Sequence, residues 1–362
     1  MKQLSLRQRV ALELYRRVKN EHRREHPLRQ LFWECTWRCN LSCRHCGSDC
    51  KNSSSLPDMP AEDFLRVVDS ILPHVDPHRL NIIITGGEPL VRADIEKVGL
   101  ELYRREMPWG IVTNGLLLNE KRFESLRRAG LHNLTVSLDG LEENHNWMRG
   151  HAESFRRAVA AIRMVAKAED VNFDVVTCVN RRSLLELHAL KELLIDAGVT
   201  RWRLFTIFPS GRAAAYPEFD LDSGELHTLM EFIMATRKEE RIKASFCCEG
   251  FMAGYEGHVR DYFFECRAGV SVASVLLDGG IGACPSIRAD YKQGNIYTDD
   301  FWEVWQNGFK QYRDRRWMKT GICADCSFWR YCEGNGMHLR DADGNIMHCH
   351  LAKGKQQVTN CR

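Results

Sequence analysis

The stretch Cys35-Thr-Trp-Arg-Cys39-Asn-Leu-Ser-Cys43-Arg-His-Cys46-Gly-Ser-Asp49 decides how the rest of the chain reads. Three and then two residues separate Cys39, Cys43 and Cys46, directly after the apolar run Leu31-Phe32-Trp33. This is a strand leading into a loop. Three thiols so closely spaced can wrap three corners of one iron–sulfur cube and leave the fourth iron open to something other than protein. An odd total of 15 cysteines and an opening without a secretory core speak against a disulfide knot. A single zinc would want a fourth ligand, and Cys35, Cys50 and His45 are at hand for it.

Outward from this loop, residues 31–210 alternate short β-branched runs with longer helical patterns. The patterning predicts strands at Leu31–Thr36, Asn81–Thr85, Gly110–Thr113, Asn133–Leu138, Asn172–Val179 and Trp202–Phe208. Helices are predicted at Ala61–Ile71, Ile95–Arg105, Lys121–Ala129, Ser154–Ala168 and Leu184–Ala197. Repeated strand–helix units imply parallel strands whose working face is at their carboxyl ends. The fold class expected is therefore α/β, a partial (β/α)6 TIM-like barrel.

CxxxCxxC directly after a first strand resembles the cluster loop of the radical S-adenosylmethionine (radical SAM) superfamily. An aromatic residue commonly precedes the last cysteine there, and His45 holds that place. The resemblance implies a [4Fe–4S] cluster on Cys39, Cys43 and Cys46, SAM on its open iron, and a low-potential electron donor of flavodoxin or ferredoxin type. Thr85-Gly86-Gly87-Glu88-Pro89 follows the second strand; its glycines expose backbone and its proline stiffens the exit. It is similar to the superfamily's motif for the methionine amino group of SAM, a role that Gly86, Gly87 and Glu88 take over.

Thr113-Asn114-Gly115 reads as a turn, and the resemblance adds Asn114 to the SAM contacts. Ser137 and Asp139 alternate at the end of the fourth strand, so their side chains share a face. Similar residues meet the ribose and methionine parts of SAM in the family. Asn144-His-Asn146-Trp-Met-Arg149-Gly150 resembles the family's His-Asp-x-x-Arg-Gly stretch, with Asn146 where aspartate is usual. Arg149 is assigned to the SAM carboxylate, because a guanidinium can grip a carboxylate with two parallel hydrogen bonds. Cys178 lies in an apolar run and reads as a small buried hydrophobe. Pro209-Ser-Gly-Arg212-Ala resembles the turn that closes this barrel in relatives.

The carboxy-terminal third holds Cys247, Cys248, Cys266, Cys284, Cys323, Cys326, Cys332, Cys349 and Cys361. Asp278-Gly279-Gly280 between apolar runs is a hairpin signal. The order of cysteines resembles the SPASM extension of radical SAM enzymes, a small cysteine-rich α+β domain with one or two auxiliary [4Fe–4S] clusters. The resemblance implies that Cys323, Cys326, Cys332 and Cys349 complete one cluster, with zinc the competing metal there. Cys266 and Cys284 would belong to a second. One further thiolate expected in the family is replaced by Gly336, so Cys247, Cys248 or Cys361 must help, or that cluster is irregular.

At 362 residues the chain divides on this reading into an N-terminal helical extension (1–30), a radical SAM core (31–240) and a SPASM-type domain (241–362). The extension is expected to pack on the main domain. With 51 Lys plus Arg against 48 Asp plus Glu the net charge is +3, which excludes nucleic acid as the default partner. No apolar run reaches the ~20 residues of a membrane span, and arginines interrupt the start, so the expected location is cytoplasmic. SPASM relatives mostly modify peptides or proteins and some act on porphyrin-type molecules; a peptide or protein substrate is expected, with a tetrapyrrole side chain as the alternative. A non-catalytic iron–sulfur carrier or zinc-stabilised binding protein has no use for Gly86-Gly87-Glu88 beside an open iron. Pro285 after Cys284, where sulfatase-maturating relatives have aspartate, makes formylglycine formation a poor fit.

Overall fold

The computed structural model describes residues 3–247 and 249–352. Six parallel strands carry the front of the chain: β1 (Gln30–Glu34), β2 (Asn81–Thr85), β3 (Trp109–Thr113), β4 (Leu131–Ser137), β5 (Asn172–Val179) and β6 (Arg201–Thr206). All six expected strands are present, with ends shifted by one or two residues where frayed pairing defeats a pattern. A further strand, β7 (Lys243–Phe246), adds parallel to β6 just past the expected boundary at 240. The expected hairpin forms from β8 (Val272–Val275) and β9 (Gly280–Gly282), and β8 also pairs in parallel with β1. With β10 (Gly294–Asn295) the order is β10-β9-β8-β1-β2-β3-β4-β5-β6-β7, an open sheet consistent with a partial barrel. The cysteine-rich end of the chain thus continues the same sheet.

The two faces of the curved sheet differ in chemistry. On the outer face Leu31, Trp33, Ile82, Ile84, Leu134, Val136, Trp202 and Leu204 are buried under the helices. Trp33 stacks on Phe64 of the helix Ala61–Ile71 with centroids 4.6 Å apart, and the Arg92 guanidinium lies 5.0 Å from the same ring. Polar side chains link across the inner face. Asn133 links Asn81 to Asn172 through side-chain amides at 2.9 and 2.8 Å, and one layer up Thr135, Asp174 and Arg203 form a closed network. Period-two alternation therefore serves a dry packed face and a hydrogen-bonded lumen at once.

The N-terminal helix Leu6–Glu25 departs from expectation, because it packs on the C-terminal region and not on the barrel. Leu4 and Leu12 share an apolar cluster with Phe251, Phe264 and Cys332, while the Lys19 ammonium donates to the Tyr331 carbonyl at 2.8 Å. Arg23 grips Glu333 through two bonds at 2.8 and 2.6 Å. Its arginine-rich pattern shows a solvated face but not which surface receives the other one. No helix among the described residues is long and apolar enough to cross a membrane.

Trp33→Ala removes the buried stack that couples β1 to the first barrel helix. It is expected to cost about 3–5 kcal/mol, read as a lower denaturant midpoint with little change in slope.

Candidate active site

The loop that leaves β1 is fastened to the exit of β2 by backbone alone. Gly87 N–H donates to Thr36 O at 2.7 Å and Glu88 N–H to Arg38 O at 3.0 Å, continuing the parallel pairing past the strands' ends. This approach needs glycine. A Cβ on Gly86 would overlap the Thr36 carbonyl oxygen, and Gly86 also has φ +142°; a Cβ on Gly87 would overlap the Arg38 carbonyl oxygen. The glycines thus admit the cluster loop's backbone, besides lining the cavity beside it.

That cavity, about 110 Å³, is lined by Cys39, Cys43, Cys46, Cys50, Leu41, His45, Gly86, Gly87, Asn114, Arg149 and Arg212. Of the expected SAM contacts, His45, Gly86, Gly87, Asn114 and Arg149 are brought together here with the three cysteines. Glu88, Ser137 and Asp139 are not among its lining residues. Glu88 is fully enclosed and accepts bonds from Leu90 N–H (3.1 Å), Thr113 Oγ1 (2.8 Å) and Asn114 N–H (2.8 Å). Burial pushes its carboxyl up. It fixes the end of β3 and so the position of Asn114.

Asp139 accepts from Arg149 Nε at 2.6 Å and from Cys178 N–H at 3.0 Å, with His45 Nε2 at 3.7 Å. Burial alone would raise its carboxyl, but the Arg149 guanidinium holds it down at about 2. Arg149 is thereby aimed, and its Nη1 comes to 3.8 Å from the Cys43 sulfur. Burial lowers His45 to about 4, leaving the ring neutral near pH 7. Ligand atoms of His45, Asp139 and Cys178 lie within 4.8 Å of one another, so Cys178 belongs to the site's surroundings. Its alternation with Val175, Thr177 and Val179 along β5 carried that signal, obscured by the apolar composition of the run.

Arg212 secures the far side of the loop. Its Nε donates to Cys43 O at 2.7 Å, its N–H to Cys46 O at 3.0 Å and its Nη1 to Cys50 O at 2.9 Å. The turn expected to close the barrel is therefore a clamp on the cysteine loop. Sequence reasoning assigned this arginine only a turn.

The donor set fits an iron–sulfur cube. Burial raises the Cys39 thiol to about 12 and also raises Cys43, so these sulfurs are poor bare anions and suit a metal that displaces the proton. Asn40 Nδ2 is buried beside them without a hydrogen-bond partner. Among the described residues no three cysteine sulfurs lie within 4.8 Å of one another. Four thiolates on tetrahedral zinc at ~2.3 Å would sit about 3.8 Å apart. The described sulfurs do not form such a group as placed.

In the C-terminal field, Cys323, Cys326, Cys332 and Cys349 lie near one another. Arg340 Nη2 donates to the Cys323 sulfur at 3.5 Å. Cys266 and Cys284 form a second group, next to Tyr312. Burial would raise the Cys266 thiol, but Arg315 and the N–H groups of Met337 and Ala268 bring it below its ordinary value. A Cβ at Gly336 would meet the His338 ring and the Glu249 carbonyl oxygen. Cys248 and Cys361 lie outside the described residues.

The Radical SAM superfamily model matches residues 33–194, and the SPASM model, an iron-sulfur cluster-binding domain, matches residues 266–327. The chain carries a radical SAM domain followed by a SPASM domain. It is 27% identical over 350 residues to an AdoMet-dependent heme synthase of Methanosarcina barkeri, covering 91% of this chain and 98% of that one. It is 29% identical over 331 residues to the mycofactocin maturase MftC of Mycobacterium ulcerans, covering 88% and 85%. In fold it resembles Streptococcus suis SuiB bound to S-adenosylmethionine, with TM-score 0.70 and 18% identity over 90% of this chain and 77% of that one. These domains imply [4Fe–4S] clusters and bound SAM.

Glu249 supplies a pH signature. It accepts from Thr206 N–H at 2.8 Å and Thr206 Oγ1 at 2.6 Å, and burial pushes its carboxyl from 4.5 up to about 8. The folded protein then holds a proton that the unfolded chain releases, so this group makes stability fall as pH rises from about 4.5 to about 8. Glu249→Gln keeps a neutral hydrogen-bonding group and flattens that part of the profile; anaerobic thermal midpoints of both proteins across the window check it.

Proposed function

We propose that this radical SAM/SPASM enzyme abstracts hydrogen from a peptide or protein substrate, as a post-translational modification. The observation that supports this substrate class is the pairing of the cations around the lumen. Arg203 sits on Asp174 and Arg288 on Glu34. A substrate with several carboxylates is best met by guanidinium groups not already committed to the protein's own acids. A mostly neutral peptide backbone makes no such demand. The resemblance to the mycofactocin maturase points the same way.

A second reading is oxidation of a small molecule such as a tetrapyrrole side chain. It is favoured by the heme synthase relative, which this chain matches over 98% of its length.

On the proposed reading Cys39, Cys43 and Cys46 hold the cluster, and His45, Gly86, Gly87, Asn114 and Arg149 surround SAM. When bound, the cluster and SAM supply one electron and a carbon radical able to take hydrogen from an unactivated C–H bond. The protein's part is orientation. Asp139 aims the Arg149 guanidinium at the cavity, Glu88 fixes Asn114, and Ser137 closes β4 beside them. Cys323, Cys326, Cys332 and Cys349 hold one auxiliary cluster, and Cys266 with Cys284 the site of another. Residues 31–240 act as the catalytic core and 241–362 as the auxiliary-cluster unit, with 1–30 as an extension and a flavodoxin- or ferredoxin-type protein as electron donor.

Anaerobically reconstituted enzyme with dithionite and SAM is expected to release 5′-deoxyadenosine. The Cys39→Ala/Cys43→Ala/Cys46→Ala protein releases none while keeping the iron of its auxiliary sites, and iron near zero in that variant would remove the auxiliary assignment. For the substrate, mass spectrometry of candidate peptides encoded beside the gene, run against iron porphyrins under the same conditions, separates the two readings. Turnover of the porphyrin alone would sink the peptide proposal.

A further inference from the structure

We propose that the outward face of the N-terminal helix Leu6–Glu25 is a docking surface for an anionic lipid bilayer, on which the protein sits reversibly. The proposal stands apart from the substrate reading. Leu6, Val10, Leu14 and Val18 recur at every fourth residue and are 79%, 55%, 58% and 43% exposed. At ~100° per residue the four cover about 120° of the helix surface. Leu12 and Lys19, the buried residues of the same helix, lie on the opposite side. A second apolar face that meets only water is an open interaction site.

The helix is held so that this face stays outside. Ser5 caps it through a reciprocal pair of bonds with Gln8, whose side-chain amide also donates to the Gly254 and Glu256 carbonyls at 2.8 and 3.0 Å. Lys19 and Arg23 fasten its other end to Glu333. With both ends tied to the C-terminal region, the stripe is a fixed outer feature.

Charge selects the occupant. Arg16, Arg23 and Arg24 pair with Glu13, Glu333 and Glu21, but Arg7, Arg9 and Arg17 have no carboxylate partner among the described residues. By helical position Arg7 and Arg17 stand among the four aliphatic side chains and Arg9 beside them, while Glu25 lies beyond the stripe at the last residue of the helix. An anionic interface asks for this mixture: aliphatic side chains and arginine stems sink below the headgroups, and the guanidinium groups stay level with the phosphates. Shape agrees. Leu6 and Leu14, more than half exposed, protrude, which suits a yielding surface better than a groove made for a partner helix. A second copy fits poorly, because the antiparallel register in which all four side chains meet sets Arg7 against Arg17. One stripe of this length gives reversible attachment and not insertion.

The test is co-sedimentation of the full-length, reconstituted protein with phosphatidylcholine vesicles that contain about 30% phosphatidylglycerol, beside vesicles of phosphatidylcholine alone. Wild type is expected to pellet with the anionic vesicles only and to be released at high salt. Arg7→Gln/Arg17→Gln is expected to bind about thirtyfold more weakly, the loss of two arginines at an anionic leaflet. Val10→Glu/Leu14→Glu is expected to lose binding, and the milder Val10→Ser/Leu14→Ser must weaken it in the same direction with an unchanged denaturant midpoint. Release of 5′-deoxyadenosine without vesicles stays at the wild-type level in every variant, since none of these residues touches the cysteine cavity. No binding to anionic vesicles, or equal binding by wild type and the glutamate variant, overturns the proposal. A dimer in sedimentation velocity that the glutamate variant abolishes assigns the stripe to a second copy and overturns it too. So does a stripe that ignores vesicles and instead holds an acidic amphipathic peptide.

Discussion

The active site depends on one close approach: the backbone of Gly86 and Gly87 lies flat against the backbone of Thr36 to Arg38. A cysteine loop of this length would otherwise sample many shapes, and ordering each residue costs about 1–2 kcal/mol of backbone entropy. Parallel pairing carried past the ends of β1 and β2 removes that freedom at the first cysteine. Arg212 removes it at the others, through three carbonyls that no side chain of the loop needs to satisfy. The cysteines are left with nothing to do for the fold. Their sulfurs are free to face one cavity.

Burial then decides the electrostatics. Asp139 and Arg149 are both enclosed, and such a pair keeps its charges only because each partner compensates the other. The carboxylate also accepts the Cys178 N–H, so the pair is anchored to β5 and does not swing. Glu88 takes the opposite course. It has no cation within hydrogen-bonding reach and three donors on its oxygens, and the balance of burial against those donors still raises its carboxyl. The acids after β2 and β4 thus have different work: Asp139 orients a cation at the cavity, and Glu88 locks a strand end.

Much of this was legible from the residues. Strand and helix positions from 31 to 210 followed from periodicity, since the outer face is apolar at every second residue. Cys39, Cys43 and Cys46 were legible from spacing, and Arg149 from the motif around it. What periodicity could not carry was destination. The helix Leu6–Glu25 shows an apolar stripe, but its partners Phe251, Phe264 and Glu333 lie more than two hundred residues away and leave no mark near it. The four-residue strand Lys243–Phe246 is too short for alternation to stand out. Arg212 resembles any turn arginine until its three carbonyl partners are seen. Cys178 packs against the apolar group of Met148, Ile207 and Phe219 as its run suggested, but periodicity did not show that its sulfur also stands beside His45 and Asp139.

The continuity of the sheet links the two cysteine fields mechanically. β8 pairs with β1 over Gln30–Val272 to Trp33–Val275, so Cys284, which follows the hairpin, and Cys39, which follows β1, are both carried by strands of one register. Trp37 and Glu34 from the first field and Cys284 and Arg288 from the second line a common cavity of about 240 Å³. The Arg288–Glu34 ion pair at 3.2 Å crosses it, with the Glu34 carboxylate almost wholly enclosed. A flexible linker between the fields would let their separation fluctuate, whereas shared strand pairing fixes it. Electron exchange between redox centres falls steeply with distance, so a fold that joins them through one sheet constrains rate as well as shape. The N-terminal helix adds a second tie, because Lys19 and Arg23 both end on Glu333, the residue after Cys332.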